Sequence, residues 1–170
     1  ELRLVTNLGA LDFGLGRHAV ARRVMAESVP LAQQLNRPGI EMVLRVNITG
    51  CDVELGDADS VCREAPVAIA LGRSLGDAVN VAVVQINHAV ALQQQGRFED
   101  AWTEAEAALQ ALEPSGVPLL AVLAEHGLAQ IEQDLGRHDS AAGRHERLMA
   151  RFDELDQPAL GGMEVALHGL

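Results

Sequence analysis

The chain is 170 residues long, and its 13 basic residues, all arginine, stand against 24 acidic residues, which gives a formal net charge of −11. The absence of lysine excludes a Schiff base, a lysine nucleophile and the lysine of a phosphate-binding P-loop. Aromatic residues make up only 2% of the chain and the acidic charge repels phosphate, so we expect no direct binding of nucleic acid.

The chain ends, the apolar runs and the number of cysteines indicate where in the cell the protein resides. No apolar run reaches the ~18 residues that a membrane span needs, and no basic and apolar leader begins the chain. Cys51 and Cys62 are too few for a disulfide scaffold, although their equal distance from the turn at 55–57 leaves a pairing open. We expect a cytoplasmic protein without a membrane partner. Because both ends cut through the repeat described next, we also expect a piece of a longer protein.

A turn signal recurs every forty residues. Glycine occupies positions 16, 56, 96 and 136, and small or β-branched residues recur seven positions before it and five positions after it. Proline or alanine follows at positions 38, 78, 118 and 158. Glycine suits the left-handed end of a helix, and proline suits the first turn of the next one, so each forty-residue unit is predicted to contain two helices.

The predicted elements are all helical, because no stretch shows the sustained alternation of a strand. The first helices of the four units are expected over 2–15, 39–55, 78–95 and 118–135, and the second over 17–35, 57–75, 97–112 and 137–154. The units span about 1–36, 37–76, 77–116 and 117–156 of a single domain, 1–170, and a lone ninth helix is expected over 158–169. Pro30 and Pro66 fall inside second helices, which predicts a kink or a broken turn near 26–30 and 62–66.

The segment 96–101 (GRFEDA), together with Asn7 and Gly9 before Gly16, resembles the tetratricopeptide repeat. The resemblance covers essentially the whole chain and is strongest over 82–114. The step of forty is similar to the longer repeats of bacterial signal-transduction proteins and transcriptional regulators. The chain departs from the family pattern four positions before the glycine, where an aromatic is usual and these residues stand instead: Asp12, Asp52, Leu92 and Glu132.

The resemblance implies both a fold and a function. The fold is a right-handed α-solenoid of four antiparallel helix hairpins plus one C-terminal helix. The function is that of a non-enzymatic module that binds a protein or peptide in a concave groove, as the sensor or scaffold arm of a bacterial regulatory protein. Self-association, including a homodimer, is the main alternative, and a phosphatase-like regulator is a weaker one.

A polar column is the sharpest candidate for ligand binding. Asn7, Asn47 and Asn87 stand nine positions before three of the glycines, although asparagine is unfavourable inside a helix. The resemblance places this position beside the groove, where an amide, which both donates and accepts, can pair with the backbone of an extended peptide. The alternative is that these amides only bridge neighbouring helices.

The other groove candidates surround the three amides. Apolar walls suit a hydrophobic peptide segment, whereas the acidic chain favours a basic one, so the charge of the ligand stays open. Alternatively, the apolar members are covered by the next helix. The candidates are the apolar Val46, Val83 and Ile86, and the basic Arg3, Arg45 and His126, which lie near the same face.

Neither a metal nor another cofactor is expected, and no spacing of a nucleophile and a base indicates an enzyme. His138 and His145 are two helical turns apart, ~10.5 Å, which is too far for one ion. Two acidic residues recur at one phase with arginines eleven positions later. This spacing predicts ion pairs within each repeat, Asp12 with Arg23 and Asp52 with Arg63.

Overall fold

The computed structural model describes residues 2–155, and within them it contains eight α-helices and no strand. Each predicted helix boundary in this part of the chain lies within one residue of the observed one, so the all-α prediction is confirmed there. The ninth helix predicted over 158–169 lies outside the described residues. The helices are α1 (Leu2–Gly14), α2 (His18–Gln34), α3 (Pro38–Glu54), α4 (Ala58–Leu75), α5 (Ala78–Gln94), α6 (Phe98–Leu112), α7 (Pro118–Asp134) and α8 (His138–Leu155).

Left-handed residues end the helices at a constant step of twenty. The glycines at 16, 56, 96 and 136 have φ of +72°, +70°, +73° and +71°, as the sequence predicted. Halfway between them, Asn36, Gly76 and Gly116 adopt φ of +50°, +68° and +71°, which the sequence analysis did not anticipate. Each helix with its link therefore occupies twenty residues, and equivalent positions of the forty-residue units occupy equivalent places in the helices.

Pro30 and Pro66 lie inside α2 and α4, and both helices continue across them. The broken turns predicted near 26–30 and 62–66 are therefore absent, and a kink at either proline stays a prediction. Both prolines are exposed, so water can satisfy the carbonyl whose helical donor the proline ring removes.

Each helix contacts the next one along the chain, and the first helices of successive units also contact one another, α1 with α3, α3 with α5 and α5 with α7. The small residues predicted at the close approaches are buried, from Gly9 and Ala21 in the first unit to Ala129 and Ala141 in the fourth. A Cβ added at Gly9 would lie 2.5 Å from Cε of Met25, so a larger residue there would require the Met25 side chain to move. Within residues 2–155, no helix combines the length and the apolar character that crossing a membrane requires.

Candidate functional site

A row of accessible residues runs along the first helices, and we call it the first-helix stripe. Its members recur at a step of forty, whereas neighbours such as Leu44 and Ile48 are buried. Because α3 contacts both α1 and α5, and α5 contacts α7, the stripe continues from unit to unit. In the second to fourth units it consists of Val43, Asn47, Gly50, Val83, Asn87, Val90, Leu123, Gly127 and Gln130.

The three candidate amides belong to this stripe or share its phase. Asn7 is exposed, and Asn47 and Asn87 are partly exposed. Nδ2 of Asn87 donates to Oγ1 of Thr49 at 3.0 Å, a bond that joins α5 to α3. Neither Asn7 nor Asn47 makes a side-chain hydrogen bond with any residue that the structure describes. The three amides therefore differ: Asn87 bridges two helices, whereas Asn7 and Asn47 bond to no side chain in the described part of the chain.

Residues of three helices meet at Gly50. A Cβ added there would lie 3.6 Å from the ring of Phe13 on α1 and 3.9 Å from Nδ2 of Asn87 on α5. The Phe13 ring is itself held edge-on against His18, with ring centroids 5.0 Å apart. Glycine at this position thus leaves an aromatic ring and an amide next to each other on the accessible face.

The apolar candidates are not equally accessible. Val46 is only 9% exposed and belongs to a buried cluster with Met42 and Val84. Val83 and Ile86 are partly buried and offer apolar surface beside Asn87. Of the three, Val46 fits the alternative that a neighbouring helix covers it.

The guanidinium of Arg45 forms ion pairs within the protein. It is 9% exposed, and its guanidinium lies 2.9 Å from Oε1 of Glu41 and 2.5 Å from Oε2 of Glu64. Two of its three guanidinium nitrogens, Nε and Nη1, are thus already paired with carboxylates. The side chain of Arg3, the other predicted arginine, lies outside the described part of the structure, although its backbone is in α1.

His126 is partly buried beside His145 of α8, and the two ring centroids lie 6.1 Å apart. Burial lowers the pKa of His126 from its ordinary 6.5, and the neighbouring His145 lowers it further. The ring is therefore neutral near pH 7 and offers hydrogen bonding rather than a positive charge. No three His, Cys, Asp or Glu side chains within residues 2–155 are arranged to hold a metal ion.

The cysteines are free, so the disulfide left open by the sequence is not formed. Cys51 is fully buried, and burial raises the pKa of its thiol to about 11, with Asp52 adding to the effect. Such a thiol is protonated near neutral pH and is a poor nucleophile.

A buried polar column, which the sequence analysis missed, runs through the same first helices. Its members lie eleven positions before the turn glycines and are Arg45, Gln85 and Glu125, at 9%, 5% and 4% exposure. Each bonds to the second helix of its own unit, in the pairs Arg45–Glu64 at 2.5 Å, Gln85–Glu104 at 3.0 Å and Glu125–Arg151 at 2.8 Å. An alignment of the units at a step of forty could have predicted this column, because three successive units have a long polar residue at this position.

The predicted ion pairs have other partners. Asp52 is fully buried and pairs with Nε of Arg22, at 2.5 Å, rather than with Arg63. Asp12 lies 2.8 Å from Arg17 rather than pairing with Arg23. Both predicted pairs are therefore wrong. Asp52 has a partner in the preceding unit because α2 packs against α3, the helix that carries it.

The position of Asp52 in its unit is occupied by Glu132 in the fourth unit. Glu132 is 3% exposed and accepts bonds from Nε of Arg144 at 3.0 Å and from Nε1 of Trp102 at 3.4 Å. Burial raises the pKa of Asp52, and the bond from Arg22 only partly opposes this effect. Burial acts on Glu132 in the same sense, but the bonds from Arg144 and other donors leave its pKa lowered.

The comparisons with known proteins add no relative, since no family model and no curated protein matches this chain.

Proposed function

We propose that the chain is a right-handed α-solenoid of the tetratricopeptide type and that it is a non-enzymatic, cytoplasmic module for binding an extended protein segment. The repeated left-handed turns and the contacts between successive first helices support the solenoid, because units of equal length that contact their neighbours through the same helices stack in one direction. As the resemblance implies, the parent protein is a bacterial regulator, with this domain as its sensor or scaffold arm.

The observation that carries this function is the first-helix stripe. An extended peptide placed along it meets accessible asparagine amides at Asn47 and Asn87, and the ring of Phe13 where α1, α3 and α5 meet. Amide groups match the donors and acceptors of a peptide backbone. A net contribution of ~1 kcal/mol for each bond, with modest apolar contacts, corresponds to micromolar and exchangeable binding.

Replacing amides separates binding from stability, because the two partly exposed asparagines differ in their contacts. Asn47→Ala removes an amide that bonds to no described side chain, so the melting temperature should stay unchanged while the affinity for peptides selected from a displayed library falls about fivefold. Thr49→Val is the matched control, because it removes the bond that holds Asn87 and leaves both amides in place. It should lower stability and leave binding within about twofold.

The peptide proposal fails if Asn47→Ala, Asn87→Ala and their combination all bind the selected peptides as the wild type does. A lower melting temperature for Asn87→Ala, with unchanged binding, would assign that amide to the bridge between α3 and α5 alone.

A specific observation favours self-association as the second candidate function. Four leucines share one face of α1 and the turn after it, and they are Leu4, Leu8, Leu11 and Leu15 at 62%, 48%, 56% and 58% exposure. In the second unit, the positions equivalent to the first three are Leu44, Ile48 and Cys51, which lie in one buried cluster with residues of α2. The α1 face thus has the composition of a surface that a helix covers.

Light scattering over a hundredfold range of concentration tests this alternative. If the α1 face drives association, the wild type should form dimers or larger species, and Leu8→Glu with Leu11→Glu should be monomeric. Leu31→Glu with Leu35→Glu is the matched control, since these leucines are also exposed but lie at the end of α2. A wild type that is monomeric throughout contradicts self-association and leaves the peptide proposal untouched.

A further inference from the structure

A depression of about 380 Å³ opens where the end of α4, the start of α5 and the second half of α6 meet. Its walls are mainly apolar and include Val81, Ala107 and Ala111, and its polar lining consists chiefly of Arg73, Asp77 and Gln85. None of these residues belongs to the first-helix stripe. The site is therefore separate from the proposed peptide surface, and it does not depend on that proposal.

The depression exists because the third unit has small residues where the neighbouring units have large ones. At a step of forty, Ala107 and Ala111 correspond to Val67 and Leu71 in α4. In α8 the same two positions hold Arg147 and Arg151. Two methyl groups in the third unit thus stand where the second and fourth units have longer side chains.

The fourth unit shows how such a space is filled when the side chains are long. Arg147 and Arg151 lie over the buried Glu125, with nitrogen–oxygen distances of 3.3 and 2.8 Å. In the second unit, Leu71 packs instead against a cluster that includes Met42. Long side chains therefore occupy this position in the second and fourth units. In the third unit only the methyl groups of Ala107 and Ala111 are present there.

The polar groups of the depression decide the charge of its occupant. The carboxylate of Asp77 is used by Asn80, accepting from its backbone nitrogen at 3.2 Å and from Nδ2 at 2.7 Å, at the positive end of α5. Gln85 donates its Nε2 to Glu104 at 3.0 Å. Arg73, by contrast, forms no hydrogen bond or ion pair with a described side chain, although its charge helps to lower the pKa of the nearby Glu104. The group with spare capacity at an apolar depression is thus a guanidinium.

We infer that this depression binds a small carboxylate with a short, branched apolar body. The carboxylate pairs with the guanidinium of Arg73, whose planar donors suit carboxylate oxygens. The apolar body lies against Val81, Ala107 and Ala111, where side chains of neighbouring units supply the equivalent atoms. A free branched-chain acid and a peptide that ends in leucine present the same chemistry, and the experiment below distinguishes them.

The probe for the test is 4-methylpentanoate, with binding followed by amide chemical shifts in NMR. A dissociation constant of about 1 mM is expected for a ligand of this size in an open site. The uncharged 4-methylpentanamide should bind at least fivefold more weakly, because it lacks the charge that Arg73 recognises. Acetyl-glycyl-leucine, as the free acid, reports on peptide ends, and tighter binding of this probe than of 4-methylpentanoate assigns the site to them.

Variants locate the binding within the molecule. Ala107→Val with Ala111→Leu installs the side chains of the second unit and should abolish the shifts while keeping the fold. Arg73→Gln should weaken binding at least fivefold. Arg23→Gln is the control, since Arg23 is also exposed and unpaired among the described residues, and it should change nothing. Equal binding of the acid and the amide, or unchanged shifts in the Ala107→Val with Ala111→Leu variant, would overturn the inference.

Discussion

The second and third units bury the same position with opposite chemistry. Four residues before the turn glycine, the second unit has Asp52, fully buried against Arg22, and the third has Leu92, 1% exposed in a cluster against which Cys62 packs. Arg22 and Cys62 themselves occupy equivalent positions in the preceding second helices. The second and third units thus both bury this position, and in each of them the facing residue of the preceding second helix matches its chemistry.

Placing an acidic residue at Leu92, the apolar position of the third unit, should have the largest effect on stability. Leu92→Asp removes a fully packed side chain and buries a carboxylate without a cation, so unfolding free energy should fall by at least about 4 kcal/mol. Urea unfolding followed by circular dichroism measures it. Leu123→Asp, at a partly exposed position of α7, is the control and should cost less than about 1 kcal/mol.

A second substitution should rescue the stability of the Leu92→Asp variant. Cys62→Arg added to Leu92→Asp recreates the pair of the second unit and should recover a large part of the loss. No recovery would mean that the preceding helix does not decide the chemistry of this position.

Removing the cationic partner of Asp52 in the second unit should have the next largest effect on stability. Arg22→Leu leaves Asp52 buried without its partner and should cost about 3 kcal/mol, while Arg22→Leu with Asp52→Leu should return to within about 1 kcal/mol of the wild type. Arg23→Leu, one residue away, is the control and should change stability by less than about 0.5 kcal/mol. A loss for the double variant as large as for Arg22→Leu would contradict the comparison.

Titration should distinguish Asp52 from Glu132, its equivalent in the fourth unit. The pKa of Asp52 is raised above its ordinary 3.8, so the folded state binds more protons, and this group lowers stability as pH rises through the window above 3.8. The pKa of Glu132 lies below its ordinary 4.5, so this group contributes stability above 4.5 that is lost as pH falls through the lower folded pKa.

Stability measured between about pH 3 and pH 6 checks these signs. Relative to the wild type, Asp52→Asn should gain stability as pH rises, and Glu132→Gln should lose it. Slopes of the same sign for the two variants would show that the donors around Glu132 do not outweigh its burial.

The smallest expected effect concerns the indole of Trp102, the only tryptophan in the chain. Its bond to Glu132 is long, at 3.4 Å, so Trp102→Phe should cost only about 0.5 to 1 kcal/mol. In the Glu132→Gln background the same replacement should cost less, because the charged acceptor is gone. If Trp102→Phe lowers the unfolding free energy equally in both backgrounds, Trp102 contributes to stability through packing and not through its bond to Glu132.

The sequence predicted the helices well because their ends carry a steric signal. A left-handed turn is favourable for glycine and unfavourable for most other residues, so the glycines at 16, 56, 96 and 136 marked where the first helix of each unit ends. The intermediate series was missed because Asn36 stands where Gly76 and Gly116 do. The broken turns at Pro30 and Pro66 were wrong because the penalty of an interior proline depends on whether water reaches the freed carbonyl.

The side-chain pairs were harder to predict than the helices. Asp52 and Arg22 are thirty residues apart and lie in different units, and no spacing within one repeat identifies them. The bond between Asn87 and Thr49, over thirty-eight residues, has the same origin. The candidate binding residues were accessible where the phase placed them outward, as at Asn47, but Arg45 and Val46 were drawn inward by contacts with Glu64 and Met42 that depend on packing.

The constant twenty-residue step has a consequence for how such a chain can change in length. Removing residues 57–96 would join Gly56 to Arg97, which normally follows a glycine in the same left-handed conformation, so every later helix would begin in phase. The order of the units is not equally free. Any rearrangement that separates the first unit from the second leaves the Asp52 carboxylate facing a helix without Arg22, so the buried charge makes those two units obligate neighbours.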